Sequence, residues 1–186
     1  QHFLWKDMPD NLLSSIKGET AQPYYSQAAQ QILRLSSKSH WDIPIKIDNN
    51  TIHVLASHPT PPVFDGPENR NGKRNHDEIR FWADYLSVGE QSAYIYDDKG
   101  ELGGFKGEHF VITGDLNASP KEGDGIKSGI RGLLSHPLVN DTAVPQSEGG
   151  KANTPNNHYA AEHTAGWAMR ADYVLPSRSL EVKGSG

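Results

Sequence analysis

An apolar run that ends abruptly in polar residues is the feature that most constrains the fold of this chain. The run covers Phe110 to Thr113, and Gly114, Asp115 and Asn117 follow it. A strand places side chains two apart on one face, so Asp115 and Asn117 are predicted to project side by side while Gly114 permits a tight turn. This pair suits hydrolysis of a phosphate ester, because a carboxylate binds a metal or orients water and an amide donates to a phosphoryl oxygen. The alternative is simple turn chemistry, in which Asp and Asn bond their own backbone.

Two further segments predict short strands that carry polar residues. Alternating isoleucines, a turn and a second alternating run predict a hairpin over residues 41–58, and His58 stands at the end of the returning strand. Near the C-terminus, residues 170–177 predict another short strand, with Arg170 and Asp172 on one face.

In this order, the three segments resemble the endonuclease/exonuclease/phosphatase superfamily, metal-dependent phosphodiesterases that include DNase I-like nucleases, abasic-site endonucleases and sphingomyelinases. The resemblance rests on three motifs, Leu55-Ala56-Ser57-His58, Gly114-Asp115-Leu116-Asn117 and Arg170-Ala171-Asp172-Tyr173-Val174-Leu175. Residues 58–66 and 74–82 are similar to a bacterial branch whose members are often secreted. The resemblance implies an α/β fold, a DNase I-like layered β-sandwich flanked by helices (α/β/β/α), and a secreted or periplasmic location.

The resemblance also implies a role for each matching residue. Asp115 is expected to orient or deprotonate the attacking water or to help hold the metal, with Mg²⁺ as the expected cation, and Asn117 to stabilise the phosphoryl group. His58 is expected to contact the phosphate, and Asp172 to accept a hydrogen bond from a catalytic histidine. Other roles stay open at this point, because a strand-end histidine is often a surface residue and Asp172 can equally be a structural partner of Arg170.

The superfamily pattern has two further parts, a metal-binding Glu upstream and a Ser-Asp-His downstream, and this sequence contains neither. We therefore expect residues 1–186 to form a single partial domain that lacks both ends of the family fold and is not a competent phosphodiester hydrolase by itself. One alternative is a non-catalytic binding or scaffold module on the same fold. Another is a phosphomonoesterase or lipid phosphodiesterase, which shares the core residues and differs in its loops.

Two polar loops are candidates for contact with substrate or metal. The first covers residues 63–75, and its Arg74 can hold a phosphate through two parallel hydrogen bonds. The second covers residues 146–164, where His158 and His163 form a weak metal-ligand pattern because their spacing is not helical. Both loops can equally be solvated segments whose charges face water.

Charge and cysteine content exclude some classes of function. The 186 residues have a formal net charge of −5 and no cysteine, which excludes disulfides, thiol catalysis and cysteine-based zinc sites. The acidic balance argues against a strongly basic nucleic-acid-binding surface. A phosphate-ester substrate is the expected partner, nucleic acid stays open as its class, and the oligomeric state is left undetermined.

Helical and extended patterns alternate in the rest of the chain. Helices are predicted after Pro23, after an Asn75 N-cap with Glu78 three residues on, and over residues 126–134, and a strand over residues 92–96. No stretch approaches the roughly 18 apolar residues of a membrane span. The alternation is typical of an α/β architecture.

Overall fold

A four-stranded mixed sheet forms the centre of the computed structural model, which describes residues 2–185. The strands are β1 (His40–Ile47), β2 (Asn50–Ser57), β3 (His109–Asp115) and β4 (Asp172–Pro176), in the spatial order β1-β2-β3-β4. β1 and β2 form an antiparallel hairpin, β3 runs parallel to β2, and β4 is antiparallel to β3. A parallel neighbour requires a crossover connection, so the chain between β2 and β3 carries helical structure.

Five α-helices and three short 3₁₀ turns surround the sheet within the described residues. The helices are α1 (Gln27–Ile32), α2 (Arg70–Leu86), α3 (Glu90–Ala93), α4 (Lys127–Leu134) and α5 (Glu148–Asn153). The 3₁₀ turns are Trp5–Asp7, Leu13–Ser15 and Ala160–Glu162. α2 is the long helix of the crossover, and it packs against α4. No helix in this part of the chain has the length and apolar character needed to cross a bilayer.

One face of the sheet is buried beneath the helices. The core combines apolar side chains of the strands with those of α2 and α4, namely Leu55, Phe110, Ile112, Tyr173, Leu175, Ile79, Trp82, Leu86, Ile130 and Leu133. Because successive strand residues point to opposite faces, this set includes every second residue of β3 and β4. The hydrophobic core therefore lies between the sheet and α2 and α4, and it extends to buried side chains of the N-terminal segment such as Trp5, Met8 and Ile16.

The opposite face of the sheet is apolar and open within residues 2–185. Strand register aligns on it Trp41, Ile43, Ile45, Ile52, Val54, Val111 and Val174. Trp41 is 57% exposed and Val174 is 68% exposed. Of the predicted α/β/β/α layers, the described residues thus supply one sheet and the helical layer that covers one of its faces.

Several predicted elements are confirmed and others are corrected. The strand predicted over residues 170–177 is present as β4, and the helix predicted after Pro23 is present as α1 but begins at Gln27, because the Ser26 side chain caps it. The hairpin and the helix over residues 126–134 are confirmed. α2 begins at Arg70 and not after Asn75, because the Asp65 carboxylate accepts the Asn71 N–H at 2.6 Å and so provides a partner for the first turn. The predicted strand over residues 92–96 is wrong, because that segment begins in α3, whose backbone bonds are local.

A histidine at the start of β1 contacts α2. The ring of His40 packs against Phe81 and Trp82, at 5.0 Å between ring centroids in each case, and its Nε2 lies 2.9 Å from the Glu78 carbonyl oxygen. Burial lowers the pKa of His40, and the Glu78 carboxylate and carbonyl offset only part of that effect. The folded chain therefore favours a neutral imidazole that donates from Nε2 to this carbonyl.

Substitutions on the two faces of the sheet are expected to differ in their effect on stability. Ile112→Ala removes a fully buried side chain and is expected to lower the free energy of unfolding by about 2–5 kcal/mol. Val174→Ala, on the open face, is expected to change it by no more than about 0.5 kcal/mol. Urea unfolding followed by circular dichroism measures both values. Equal losses in the two variants would contradict an open face.

Stability is expected to fall as the pH is lowered from about 7.5 to about 5.5, on either side of the ordinary histidine pKa. In this window the unfolded chain takes up more protons at His40 than the folded chain does, so the free energy of unfolding decreases as the pH is lowered. Burial also lowers the pKa of His136, which adds an effect of the same sign. Urea midpoints measure the change, and His40→Gln, which keeps a donor but takes up no proton, is expected to show a smaller change than the wild-type chain. The same pH dependence in that variant would refute the assignment to His40.

Candidate active site

Three polar side chains lie in a row across one edge of the sheet. His58 follows β2, Asp115 ends β3 and Asp172 begins β4. The parallel register pairs Ala56 with Thr113, which brings the next same-face positions, His58 and Asp115, side by side. The antiparallel register pairs Asp115 directly with Asp172. The structure therefore brings together three of the residues that the sequence analysis selected, on the open face of the sheet.

The Asp115 carboxylate is held by a backbone hydrogen bond and faces His58. Its Oδ1 accepts the backbone N–H of Asn117 at 2.8 Å, and its Oδ2 lies 3.5 Å from His58 Nε2. The hydrogen bond from the Asn117 N–H is the turn interaction that the sequence left open as an alternative to a catalytic role. In the structure this bond orients the Asp115 carboxylate. The side chains of His58 and Asp115 are 47% and 28% exposed, so a ligand can reach both.

The Asn117 side chain is directed to the segment that follows β2. Asn117 has a positive φ of 51°, its side chain is buried, and its Nδ2 donates to the Pro59 carbonyl at 3.2 Å. Because β3 ends at Asp115, the alternation that predicted parallel projection of the two side chains does not continue to Asn117. Its amide instead connects the segment after β3 to the segment after β2.

Asp172 is exposed, and Arg170 pairs elsewhere. The Arg170 side chain is buried, its Nη2 lies 2.9 Å from Asp141 Oδ1, and its guanidinium lies 4.3 Å from the centroid of the Tyr173 ring. The pairing of Asp172 with Arg170 that the sequence left open therefore does not form. Asp172 faces Asp115 across the strand pair, and like charges in directly opposed positions destabilise a sheet.

The carboxylates at this edge are suitable ligands for a hard divalent cation. Mg²⁺ is commonly held by one or two carboxylates and several waters, and Asp115 and Asp172 supply such oxygens. Among residues 2–185, no group of three or more His, Cys, Asp or Glu side chains is arranged to hold a metal. Binding of Mg²⁺ at this edge would therefore depend on the two opposed carboxylates of Asp115 and Asp172.

Two other side chains selected in the polar loops have structural partners. Arg74 lies on α2 and not in a loop, and it donates to the carbonyls of Leu35 at 2.9 Å and Arg34 at 2.7 Å. The His163 side chain is 2% exposed, and its Nε2 lies 3.0 Å from Glu122 Oε2. These contacts account for both side chains without a ligand, and a phosphate contact by Arg74 stays a prediction.

Buried polar side chains of α2 contact the segment that carries His58. Glu78 is fully buried, and its Oε2 accepts the Thr60 N–H at 2.6 Å. Trp82 Nε1 donates to Ser57 Oγ at 2.8 Å. Asn75, on the same helix, is also fully buried.

The sequence alone predicts that Asn75 and Glu78 form a helix cap and does not indicate their position against the site. The available signal was their helical spacing relative to Ile79 and Trp82, because polar residues beside an apolar stripe need specific partners.

Several solved structures are similar to this chain, at low sequence identity. A beta hairpin deletion mutant of beta toxin from Staphylococcus aureus is 16% identical over 76% of this chain and 44% of its own, with a TM-score of 0.43. A beta toxin variant with bound magnesium ions from the same organism is 16% identical over 75% of this chain and 42% of its own, with a TM-score of 0.41. Sphingomyelinase C from Streptomyces griseocarneus is 12% identical over 77% of this chain and 43% of its own, with a TM-score of 0.42.

The chain thus spans less than half the length of each of these structures. A comparison with curated proteins returned no match. The model of the Endonuclease/Exonuclease/phosphatase family matches residues 19–186, which include all three strand-end motifs of the site. On this match, the chain belongs to the endonuclease/exonuclease/phosphatase family.

Proposed function

We propose that this chain carries the catalytic face of a metal-dependent phosphodiester hydrolase. The observation that carries the proposal is the row of His58, Asp115 and Asp172 at one sheet edge, with Asp115 oriented by a backbone N–H and 3.5 Å from His58. Membership of a family of nucleases and phosphatases supports hydrolysis of a phosphate ester. The substrate contacts this edge from the open side.

Each residue of the site has a role that its contacts permit. One oxygen of Asp115 accepts the Asn117 N–H, and the other, which lies 3.5 Å from His58 Nε2, would orient or deprotonate a water that attacks phosphorus. His58 would donate a hydrogen bond to a phosphoryl oxygen and favour its developing charge. Asn117 uses one amide hydrogen on the Pro59 carbonyl, so the other remains for the phosphoryl group.

Asp172 has two compatible roles in this proposal. It would share a cation with Asp115, which it faces, and it would accept a hydrogen bond from a catalytic histidine of the natural protein. When bound, Mg²⁺ offsets the charge of the phosphate and its leaving group. A secreted or periplasmic location, suggested by the family resemblance, is part of the same proposal.

Replacement of Asp115 tests the proposed site. In the natural gene product, Asp115→Asn is expected to lower kcat for bis-p-nitrophenyl phosphate with Mg²⁺ by about 10²–10⁴-fold, because the amide cannot accept a proton from water. Asp48→Asn is the matched control, since Asp48 lies in the β1–β2 turn at the opposite edge of the sheet and has a positive φ that Asn tolerates.

The results of this assay separate the alternatives. Full activity in Asp115→Asn would refute the proposed site. A natural protein that folds and hydrolyses neither this diester nor p-nitrophenyl phosphate would favour a binding module. Hydrolysis of the monoester alone would indicate a phosphomonoesterase.

Metal removal is expected to abolish hydrolysis, and added Mg²⁺ to restore it. Because Asp172 faces Asp115, Asp172→Asn is expected to raise the Mg²⁺ concentration for half-maximal activity on the order of tenfold. Activity measured across a Mg²⁺ titration after treatment with a chelator gives this value, with Asp48→Asn again as the control. Undiminished hydrolysis in the chelator would exclude metal dependence.

A further inference from the structure

Asn75 contacts both segments that carry the candidate catalytic residues. It lies on α2 and its side chain is fully buried. Its Nδ2 donates to the Thr60 carbonyl at 2.9 Å and to the Leu116 carbonyl at 2.9 Å. A side-chain amide has two N–H donors, so these two bonds use both.

The two carbonyls stand next to the residues of the site. Thr60 is two residues after His58, and Leu116 lies between Asp115 and Asn117. The pairing of β2 with β3 ends at Ala56 and Thr113, so ladder hydrogen bonds no longer set the separation of the chains beyond that point. Beyond that point the Asn75 amide connects the two chains, on the side of the sheet that faces α2.

The contacts of Asn75 match the chemistry of an amide and of no other short side chain. Its Oδ1 has no hydrogen-bond partner within the described residues, so the side chain is placed for its two donors. An aspartate here would put negative charge against two carbonyl oxygens, and an alanine would leave two buried acceptors unpaired.

The neighbours of Asn75 on α2 make its position a rigid one. Glu78 and Trp82 hold Thr60 and Ser57, which belong to the His58 segment alone. Within the described residues, Asn75 is the α2 side chain that also forms a hydrogen bond with the Asp115 segment. Loss of its amide would therefore leave the His58 segment bonded to α2, while the Asp115 segment would lose its hydrogen bond to the helix and keep the Asn117–Pro59 bond to the His58 segment.

We propose, as an inference that rests on the function proposed above, that Asn75 is a positioning residue that sets the separation of His58 from Asp115. It does not touch the substrate. It acts by fixing the Thr60 and Leu116 carbonyls at one distance from each other, and through them the 3.5 Å approach of His58 Nε2 to Asp115 Oδ2.

The natural chain offers a matched control on the same helix. Asp77 is fully buried, and its Oδ2 accepts the Trp5 Nε1–H at 2.6 Å and the Leu12 N–H at 2.7 Å. Asn75→Ala therefore removes two hydrogen bonds of a buried side chain, and Asp77→Ala removes the two to the N-terminal segment together with a 2.8 Å contact between its Oδ1 and His76 Nδ1 on the same helix. Only Asn75→Ala releases the segments of the site, because Asp77 holds the N-terminal segment.

The test compares these variants of the natural gene product by amide hydrogen exchange and by steady-state kinetics. The reporter amides are those of Thr60 and Asn117, which donate to Glu78 and Asp115, and that of Leu12, which donates to Asp77. Asn75→Ala is expected to speed exchange at Asn117 by about tenfold or more with little change at Leu12, and Asp77→Ala to do the reverse. With bis-p-nitrophenyl phosphate, Asn75→Ala is expected to lower kcat on the order of 10²-fold with little change in KM, and Asp77→Ala to change neither.

Three results would overturn the inference or separate it from the proposed function. Equal losses of kcat per folded molecule in the two variants, or unchanged exchange at Asn117 in Asn75→Ala, would overturn it. If the wild-type protein hydrolyses nothing, the proposed function fails, while local exchange at Asn117 still decides whether Asn75 holds the two segments. If Asn75→Ala does not fold, Asn75→Ser, which keeps one donor, replaces it and is expected to give an intermediate exchange rate and kcat.

Discussion

The packing of α2 against one face of the sheet is the interaction on which the rest of the structure depends. Ile79, Trp82 and Leu86 bury the apolar side of the helix with the core residues of the strands. The same packing buries the polar side chains of Asn75 and Glu78, which lie beside this apolar stripe. Buried polar groups need partners, and the carbonyl and N–H groups of the strand-end segments supply them. The apolar contact that stabilises the domain therefore also orders the loops of the site.

The candidate site contains two carboxylates whose close approach is unfavourable unless a positive charge lies near them. Asp115 and Asp172 are directly paired across β3 and β4, which costs stability in the absence of a compensating charge. A divalent cation is such a charge, and the proposed hydrolysis of a phosphodiester would use one near phosphorus. The backbone N–H of Asn117 keeps Asp115 turned toward His58. The pair of carboxylates that costs stability, Asp115 and Asp172, is thus the same pair that the proposed metal site uses.

The two faces of the sheet have different relations to this site. The buried face supports it through α2, whereas the row of polar residues lies on the open face beside apolar side chains such as Val174 and Val111. The proposed substrate would therefore approach Asp115 beside an apolar surface. A basic residue also lies next to the row, since Lys38 Nζ donates to the His58 carbonyl at 3.2 Å.

The sequence by itself determined the hairpin, the helix over residues 126–134 and the strand-end positions of His58, Asp115 and Asp172, because periodicity and turn residues act over a few neighbouring positions. The family followed from the order of the three motifs. The start of α2 depends on the Asp65 carboxylate in the loop just before the helix. Only the tertiary structure decided the direction of Asn117, which depends on a carbonyl in the segment after β2. Arg170 and Asn75 likewise take partners that are distant in the sequence. Local patterns carry no information about such partners, since strand pairing and helix packing bring them together.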